Sequence, residues 1–256
     1  MTPALSAHIR EKRYPRARGT KPHLALAGLS LQIAAGEFVA LVGPSGCGKT
    51  TLLNIVAGLD RDFAGEVELA PGAEGRPARV GYVFQEPRLL PWRTVYENIA
   101  LVLPADGADE VIGPMLRAVG LAEARDLYPS QLSVGMSRRV SIARAFAIEP
   151  DLLLMDEPFV SLDHDTVEQL RELLLELWRL RPTTVLFVTH DMREALVLAD
   201  RLVLLSASPG HVVAEVPVSL ERNHRHSGAD IERLRTEILR RHRELIGAGA
   251  DAATVE

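Results

Sequence analysis

The segment Gly43–Thr50 constrains this chain more than any other. It reads Gly-Pro-Ser-Gly-Cys-Gly-Lys-Thr and fits the pattern G-x-x-x-x-G-K-[S/T]. The apolar run Glu37–Val42 before it predicts a buried strand, and the run Thr50–Ala57 after it predicts a helix. A strand, a glycine-rich turn and a helix in this order predict a phosphate-binding loop in an α/β fold, whereas a plain glycine-rich turn is the alternative interpretation.

The residue types of this loop suit phosphate chemistry. Glycine lets the backbone curl until successive N–H groups point at one phosphate, and the start of the helix adds a partial positive charge. Lys49 would reach the β- and γ-phosphates, and the Thr50 hydroxyl would bind Mg²⁺. The residues predicted to bind the nucleotide here are Gly43, Pro44, Ser45, Gly46, Cys47, Gly48, Lys49, Thr50 and Thr51.

A second acidic element follows further along the chain. The run Leu152–Met155 predicts a central parallel strand, and Asp156 and Glu157 come directly after it. Open α/β sheets bind ligands at the carboxyl ends of their strands, so Asp156 is predicted near Mg²⁺. Glu157 is then available to polarise an attacking water, although Asp-Glu-Pro could also be a turn that ends the strand.

Buried strands alternate with helical patterns along the chain, which predicts an α/β fold with a mostly parallel sheet. Val167, Leu170, Leu174 and Leu177 form one apolar helix face. We predict an N-terminal segment at 1–22, a nucleotide-binding domain at 23–218 with a helical insert at about 86–144, and a linker and helix at 219–256. The final helix has an apolar stripe of Ile231, Leu234, Ile238 and Leu245 and is expected to pack on the domain; a partner contact is the alternative.

Composition excludes several classes of protein. The net charge of −5 argues against nucleic acid as the main partner. The sequence lacks a run of about 18 apolar residues, so no membrane span is predicted. The first residues lack the apolar region of a secretory signal. The single cysteine, Cys47, fits a reducing cytosol. A basic stretch near the start is interpreted as a solvated tail, with membrane-surface contact as the alternative; it contains Arg10, Lys12, Arg13, Arg16, Arg18 and Lys21.

The order of the motifs resembles the ATP-binding subunits of ABC transporters, from about Tyr14 to Val216. After the phosphate-binding loop come segments similar to the family's Q-loop, signature motif, Walker B strand, D-loop and switch-histidine loop, in that order: Val83–Gln85, Leu132–Met136, Leu152–Pro158, Ser161–Asp163 and Val188–Asp191. The resemblance implies an ABC ATPase fold, with a P-loop core, an antiparallel β edge and a helical signature subdomain.

The resemblance also implies roles for single residues. Gln85 is expected to contact Mg²⁺ or the attacking water, and His190 to hold the γ-phosphate. Ser133 and Gly135 are expected to cap the γ-phosphate bound to an opposing subunit, and Asp163 to lie at the subunit interface. Together with Glu157 as the base, and Thr50 and Asp156 at the metal, these residues would bind and hydrolyse ATP with Mg²⁺.

Three positions complicate the comparison with the family pattern. Val134 replaces the first glycine of the signature, and a β-branched residue does not readily adopt positive φ, so altered signature geometry is expected if that φ is needed. Arg138 stands where glutamine is common in the family. Tyr14 is the candidate for the aromatic residue that stacks on the base, although 29 residues separate it from Gly43, which requires an inserted loop.

The stretch Pro87–Asn98 is similar to the ATPases of nitrate, sulfonate and taurine importers, and also to those of importers for thiamine-precursor pyrimidines. This resemblance implies two transmembrane permease subunits, a second ATPase subunit (a homodimer is allowed), and a periplasmic or lipoprotein solute-binding protein. The chain would then work peripherally at the cytoplasmic face of the inner membrane. The tetrad Met136–Arg139 is similar to lipid-trafficking ABC ATPases, so a lipid-trafficking or export system is one alternative and a soluble ABC-type ATPase is another.

Overall fold

Strands and helices alternate in the computed structural model, which describes residues 3–15, 21–220 and 228–246. The chain forms two compact units. Unit 1 comprises Met1–Pro71 and Thr184–Glu256, and unit 2 comprises Gly72–Thr183. Unit 2 is larger than the predicted insert at about 86–144, because it also includes the strands before and after the insert. The predicted polar linker Asn223–Ser227 lies outside the described residues.

Three parallel strands and one antiparallel strand lie side by side in unit 1. Their order is β7 (Thr184–Thr189), β3 (Phe38–Val42), β8 (Arg201–Leu205) and β9 (Val212–Pro217). β3 is parallel to β7 and β8, and β9 is antiparallel to β8. Every residue of β3 and β7 is buried, as expected for parallel strands covered on both faces.

A second, antiparallel sheet of unit 1 has the order β2-β1-β4, from His23–Ile33, Leu5–Tyr14 and Ala64–Leu69. The expectation of a solvated basic tail is therefore wrong for the residues up to Tyr14. The side chain of Lys12 is buried, and its Nζ donates to Asp60 Oδ1 at 2.8 Å and to the Asp62 carbonyl at 2.6 Å. These two acceptors hold the buried ammonium group of Lys12 within the folded unit.

Three helices complete unit 1: α1 (Lys49–Val56), α6 (Met192–Leu198) and α7 (Gly228–Ile246). Ile231 and Ile238 of α7 are buried, Leu234 is half-buried, and α7 packs against α6. The prediction that this helix packs on its own domain is confirmed. Among the described helices, none combines the length and the apolar character that a membrane crossing needs.

Unit 2 contains the parallel strands β5 (Val80–Val83) and β6 (Leu152–Asp156), with four helices. The apolar face predicted for Val167–Leu177 is confirmed, because Val167, Leu170, Leu174 and Leu177 are all buried in α5. The fold class is also confirmed: parallel strand pairs, an antiparallel sheet and helices together form an α/β architecture. The four helices are α2 (Val95–Ala100), α3 (Ala108–Ala118), α4 (Val134–Ala147) and α5 (His164–Leu180).

We expect Asp60→Ala to lower the free energy of unfolding by about 2 kcal/mol, because it removes the carboxylate that faces the buried Lys12 ammonium. Asp62→Ala is the matched control. Its carboxylate is 96% exposed and lies 3.7 Å from the same Nζ, so its loss should cost less than about 0.5 kcal/mol. Urea unfolding of both variants measures the difference. Equal destabilisation by the two substitutions would contradict this interpretation.

The pH dependence provides a second check on this pair. Burial opposes the charge of Asp60, but hydrogen bonds from Lys12, the Asp62 amide and Tyr14 hold its pKa below the ordinary value of 3.8. A carboxylate with a lowered folded pKa stabilises the fold above its unfolded pKa, and this contribution is lost as pH falls through the folded pKa. The stability difference between wild type and Asp60→Ala should therefore be constant near neutral pH and narrow below pH ~4.

Candidate functional site

The loop Gly43–Gly48 joins β3 to α1, which confirms the predicted strand, turn and helix. Gly48 adopts φ +101° directly before the first helical residue, Lys49. A Cβ at Gly48 would meet Leu26 Cδ2 at 2.5 Å and the Ala25 carbonyl oxygen at 3.0 Å. Only glycine combines this φ with so close an approach to β2. The loop therefore ends at the start of a helix, where main-chain N–H groups can bind an anion.

The turn between β8 and β9 supports the same loop from another side. A Cβ at Gly210 would lie 2.1 Å from the Cys47 carbonyl oxygen, so the two main chains are in direct contact. Gly210 is also tied to β2, since its N–H donates to Ala25 and its carbonyl accepts from Ala27. In the sequence, Pro209-Gly210 indicates a turn, but it does not show what the turn contacts.

Lys49 is buried within the loop that precedes it. Its Nζ donates to the Gly43 carbonyl at 2.8 Å and to the Pro44 carbonyl at 3.1 Å. Thr50, next in the helix, is exposed, and Cys47 is buried. The ammonium group therefore lies inside the curl of the loop, while the exposed Thr50 carries a hydroxyl oxygen of the kind that Mg²⁺ accepts.

His190 is placed beside this loop by strand register. Val42 of β3 pairs with Thr189 of β7, so Gly43 and His190 leave neighbouring parallel strands at the same carboxyl edge. The Thr189 hydroxyl donates to Glu194 at 2.7 Å and accepts from the Asp191 amide at 2.9 Å, which fixes the turn that holds the exposed His190. Unit 1 thus brings together the loop and the histidine, as predicted.

Tyr14 lies at the end of β1, close to α1. Its hydroxyl is 3.3 Å from Thr51 Oγ1 and 3.1 Å from Asp60 Oδ2, and Lys12 Nζ lies 4.6 Å from the centre of its ring. The long separation in sequence therefore does not prevent Tyr14 from reaching the helix that follows the phosphate-binding loop. Its role as the aromatic residue that stacks on the base stays a prediction.

In unit 2, two neighbouring parallel strands end beside acidic and amide side chains. Val83 of β5 pairs with Met155 of β6, so Gln85 and the Asp156-Glu157 pair follow neighbouring parallel strands at one edge. Asp156 is buried, whereas Gln85 is exposed and Glu157 half-buried. Burial and then the charge of Asp156 raise the pKa of Tyr82, which places a carboxylate charge close to β5.

Glu157 has φ +43°, in the left-handed region that non-glycine residues rarely adopt. Strain of this kind costs about 1–3 kcal/mol and occurs most often at functional sites. Glu74 and Glu149 also adopt positive φ, so the conformation alone does not assign a role. Catalysis by Glu157 therefore stays a prediction.

The signature segment forms the start of α4. Ser133 is the N-cap, with its Oγ accepting from the Met136 amide at 3.1 Å. Val134 is the first helical residue, has no positive φ and is 60% exposed. Helical φ suits valine, so Val134 does not need the positive φ that was expected to alter the signature geometry. A Cβ at Gly135 would lie 3.0 Å from Thr166 Cγ2, which explains glycine there on steric grounds.

Asp163 is the N-cap of α5 and is exposed. Its carboxylate accepts from the Thr166 hydroxyl at 2.7 Å and from the Thr166 amide at 2.9 Å. These hydrogen bonds, the hydroxyl first, lower the pKa of Asp163 and keep the carboxylate charged. The structure thus gives Asp163 a capping function in addition to the interface role implied by the resemblance.

Residues predicted at the metal are oxygen donors: Thr50 in unit 1, and Gln85 and Asp156 in unit 2. Within the described ranges no group of three or more His, Cys, Asp or Glu side chains could hold a metal by itself. A Mg²⁺ ion carried in with nucleotide phosphates needs no such cluster, because it takes only one or two protein ligands and retains waters. Hydroxyl, amide and carboxylate oxygens are donors of the type that Mg²⁺ accepts in this mode of binding.

Comparison with known proteins identifies relatives of the whole chain. Residues 26–160 match the family model described as ABC transporter. The aliphatic sulfonates import ATP-binding protein SsuB of Bacillus subtilis is 41% identical over 239 residues, covering 92% of this chain and 93% of the relative. A Pseudomonas aeruginosa protein of the same name is 45% identical over 224 residues, covering 84% and 89%.

Solved structures support the same relationship. The ATP-binding cassette MJ0796, in a dimeric post-hydrolysis state with ADP and Pi, is 31% identical and superposes with a TM-score of 0.72. The alignment covers 85% of this chain and 100% of that cassette. A second dimeric structure of MJ0796 gives the same values.

Proposed function

Because this chain belongs to the family of ATP-binding subunits of ABC transporters, we propose that it hydrolyses ATP to drive import of a small organosulfur solute such as an aliphatic sulfonate. The similarity to sulfonate import proteins over more than nine-tenths of the chain carries the choice of an importer. It also favours import over the lipid-trafficking and export alternatives. Import of this kind implies two permease subunits and a solute-binding protein, with the ATPase at the cytoplasmic face of the membrane.

We assign the binding of ATP to the loop Gly43–Thr51. The main-chain N–H groups at the start of α1 and the buried Lys49 would bind the β- and γ-phosphates, since cationic and oriented N–H donors suit phosphate oxygens. Tyr14, beside α1, would stack on the base. When bound, Mg²⁺ would neutralise phosphate charge, and Thr50, Gln85 and Asp156 are the residues that would hold it.

Hydrolysis requires a group that removes a proton from the attacking water. Glu157 is half-buried, strained and directly follows the buried Asp156, so we assign it as the general base. His190 would orient the γ-phosphate, because the Thr189 hydrogen bonds fix the turn that carries it. Gln85 would sense the nucleotide state through the metal or the water.

The signature residues Ser133 and Gly135 would complete the ATP site of a second copy of the chain. The exposed Ser133 and the free N-terminal turn of α4 suit an anion presented by another subunit. MJ0796 forms a dimer with ADP and Pi. In the same arrangement here, bound ATP would contact both subunits and hold them together. Asp163 would lie at that interface.

The turn 90–94 is the surface that we assign to permease docking. Asn98 is fully buried and shapes this turn: its Oδ1 accepts from the Leu90 amide at 2.8 Å, and its Nδ2 donates to the carbonyls of Leu90, Arg93 and Thr94. Trp92 at the tip is 68% exposed. A rigid turn that presents an exposed aromatic ring is well suited to anchor a protein interface.

We expect Glu157→Gln to keep ATP affinity and to lower ATP hydrolysis by about 10²-fold or more, because it removes the base without removing a phosphate contact. Lys49→Ala is the contrasting variant, in which ATP affinity itself should fall. Equilibrium binding of ATP and phosphate release measure the two effects. In cells, uptake of a labelled alkanesulfonate should be lost with either variant. Near-normal turnover by Glu157→Gln would rule out the assignment.

Trp92→Glu should prevent assembly with the permease and leave ATP binding unchanged, because it places a charge in the apolar centre of the interface. Leu180→Glu is the control, since Leu180 is also an exposed apolar residue of unit 2, at 80% exposure, and ends α5. Co-purification of tagged ATPase with the permease measures assembly. If Trp92→Glu assembles as well as Leu180→Glu, the docking surface lies elsewhere.

Mixing two inactive variants tests the shared site. Lys49→Ala removes one phosphate contact of a chain's own site, and Ser133→Arg blocks the site of its partner. In a mixed dimer one of the two sites keeps both an intact loop and an intact signature. Because random pairing makes about half of the dimers mixed, mixing should restore ATPase activity to about a quarter of the wild-type value. Each variant assayed alone at the same total protein concentration is the control. No recovery on mixing would mean that each chain works alone.

A further inference from the structure

Arg138 is a buried cation in α4 whose hydrogen-bond partners belong to the Q-loop segment. Its side chain is 3% exposed, and its Nη1 donates to the Phe84 carbonyl at 3.0 Å and to the Gln85 carbonyl. Hydrogen bonds from a charged donor are about twice as strong as neutral ones. The main chain at Gln85 is therefore held by the helix that begins with the signature motif.

Arg144, on the same helix, binds the main chain that follows Gln85. Its Nη2 donates to the Pro87 carbonyl at 2.8 Å and its Nη1 to the Arg88 carbonyl at 3.1 Å. Arg88 has φ +47°, and its guanidinium lies 4.2 Å from the centre of the Phe84 ring. Four carbonyls of the segment 84–88 thus accept from two arginines of α4.

The two ends of this connection are close along the helix. Ser133 caps α4 and Arg138 follows five residues later, about one and a half turns from the cap. The intervening residues are all helical, so Ser133 and Arg138 belong to one continuous helical segment. A displacement of the first turn of α4 would therefore be carried to the Phe84 and Gln85 carbonyls that Arg138 binds.

We propose that Arg138 is a positioning residue that couples the signature helix to Gln85, so that the two groups respond to nucleotide as one body. Under the proposed function, on which this inference rests, Gln85 acts on the chain's own ATP and Ser133 on the ATP of its partner. Arg138 then links the two ATP sites of a dimer within a single chain. Glutamine, which is common here in the family, is shorter and uncharged, so this chain makes the link with a stronger donor.

A double-mutant cycle separates this role from plain stabilisation. Arg138→Met removes all donors and keeps much of the side-chain volume; we expect it to lower kcat about 10-fold while the KM for ATP changes less than about 2-fold. In a Gln85→Ala background the same substitution should change kcat by less than about 2-fold, because the residue through which it acts is gone. Arg138→Lys should recover part of kcat, since it keeps a cation with a single donor group.

Arg139→Met is the matched control on the same helix. Arg139 is half-buried and donates to Gln169 at 2.7 Å and to the Val119 carbonyl at 3.4 Å, so it does not touch the Q-loop segment through these bonds. Its effect on kcat should be small and equal in both backgrounds. Thermal unfolding of every variant shows how much of each loss of kcat reflects lower stability. If Arg138→Met does not fold, Arg138→Lys replaces it in the double-mutant cycle with Gln85→Ala.

Hydrogen exchange gives a readout that does not depend on catalysis. The amides of Gln85, Glu86 and Arg88 should exchange about 10-fold faster in Arg138→Met than in wild type or Arg139→Met, because a local opening is no longer opposed by the charged hydrogen bonds. Unchanged exchange, or an equal loss of kcat with and without Gln85, overturns the inference. If Gln85→Ala alone leaves kcat unchanged, the proposed role of Gln85 fails instead, and exchange still decides whether Arg138 holds the segment.

Discussion

Parallel pairing between apolar strands is the constraint on which the functional arrangement of each unit depends. A parallel ladder fixes which residues leave neighbouring strands together, and it places their loops at the same carboxyl edge. In unit 1 this register places Gly43 level with His190, and in unit 2 it places Gln85 level with Glu157, which follows Asp156 at the end of β6. A shift of one residue in either pair would turn every side chain of that strand to its other face. The proposed chemistry therefore depends on hydrogen bonds between strands that are apolar along most of their length.

Much of this could be predicted from the sequence because the determining signals are local. The phosphate-binding loop and its flanking strand and helix are specified by adjacent residues. The apolar face of α5 followed from a simple helical period. Motif order then indicated the family, and the comparisons with known proteins agree with it.

The features that escaped prediction depend on contacts between residues far apart in sequence. Lys12 was assigned to a tail because its partner Asp60 is 48 residues away, and nothing near Lys12 shows that it is buried. Gly210 contacts Cys47 across the fold for the same reason. Arg138 differed from the family pattern, but only the structure shows the carbonyls that it binds. Val134 was expected to disturb the signature, and the helical φ at that position removes the difficulty.

The backbone of Glu157 has a consequence for anyone who redesigns this chain. Its φ of +43° is one that glycine adopts without penalty, so Glu157→Gly would relieve strain worth about 1 kcal/mol or more. A search for stabilising substitutions would favour that change, although glycine also raises the entropy of the unfolded chain. Under the proposed role of Glu157 as the base, stability and ATP hydrolysis make opposite demands on this one residue, so thermostability is a misleading guide to improvement here.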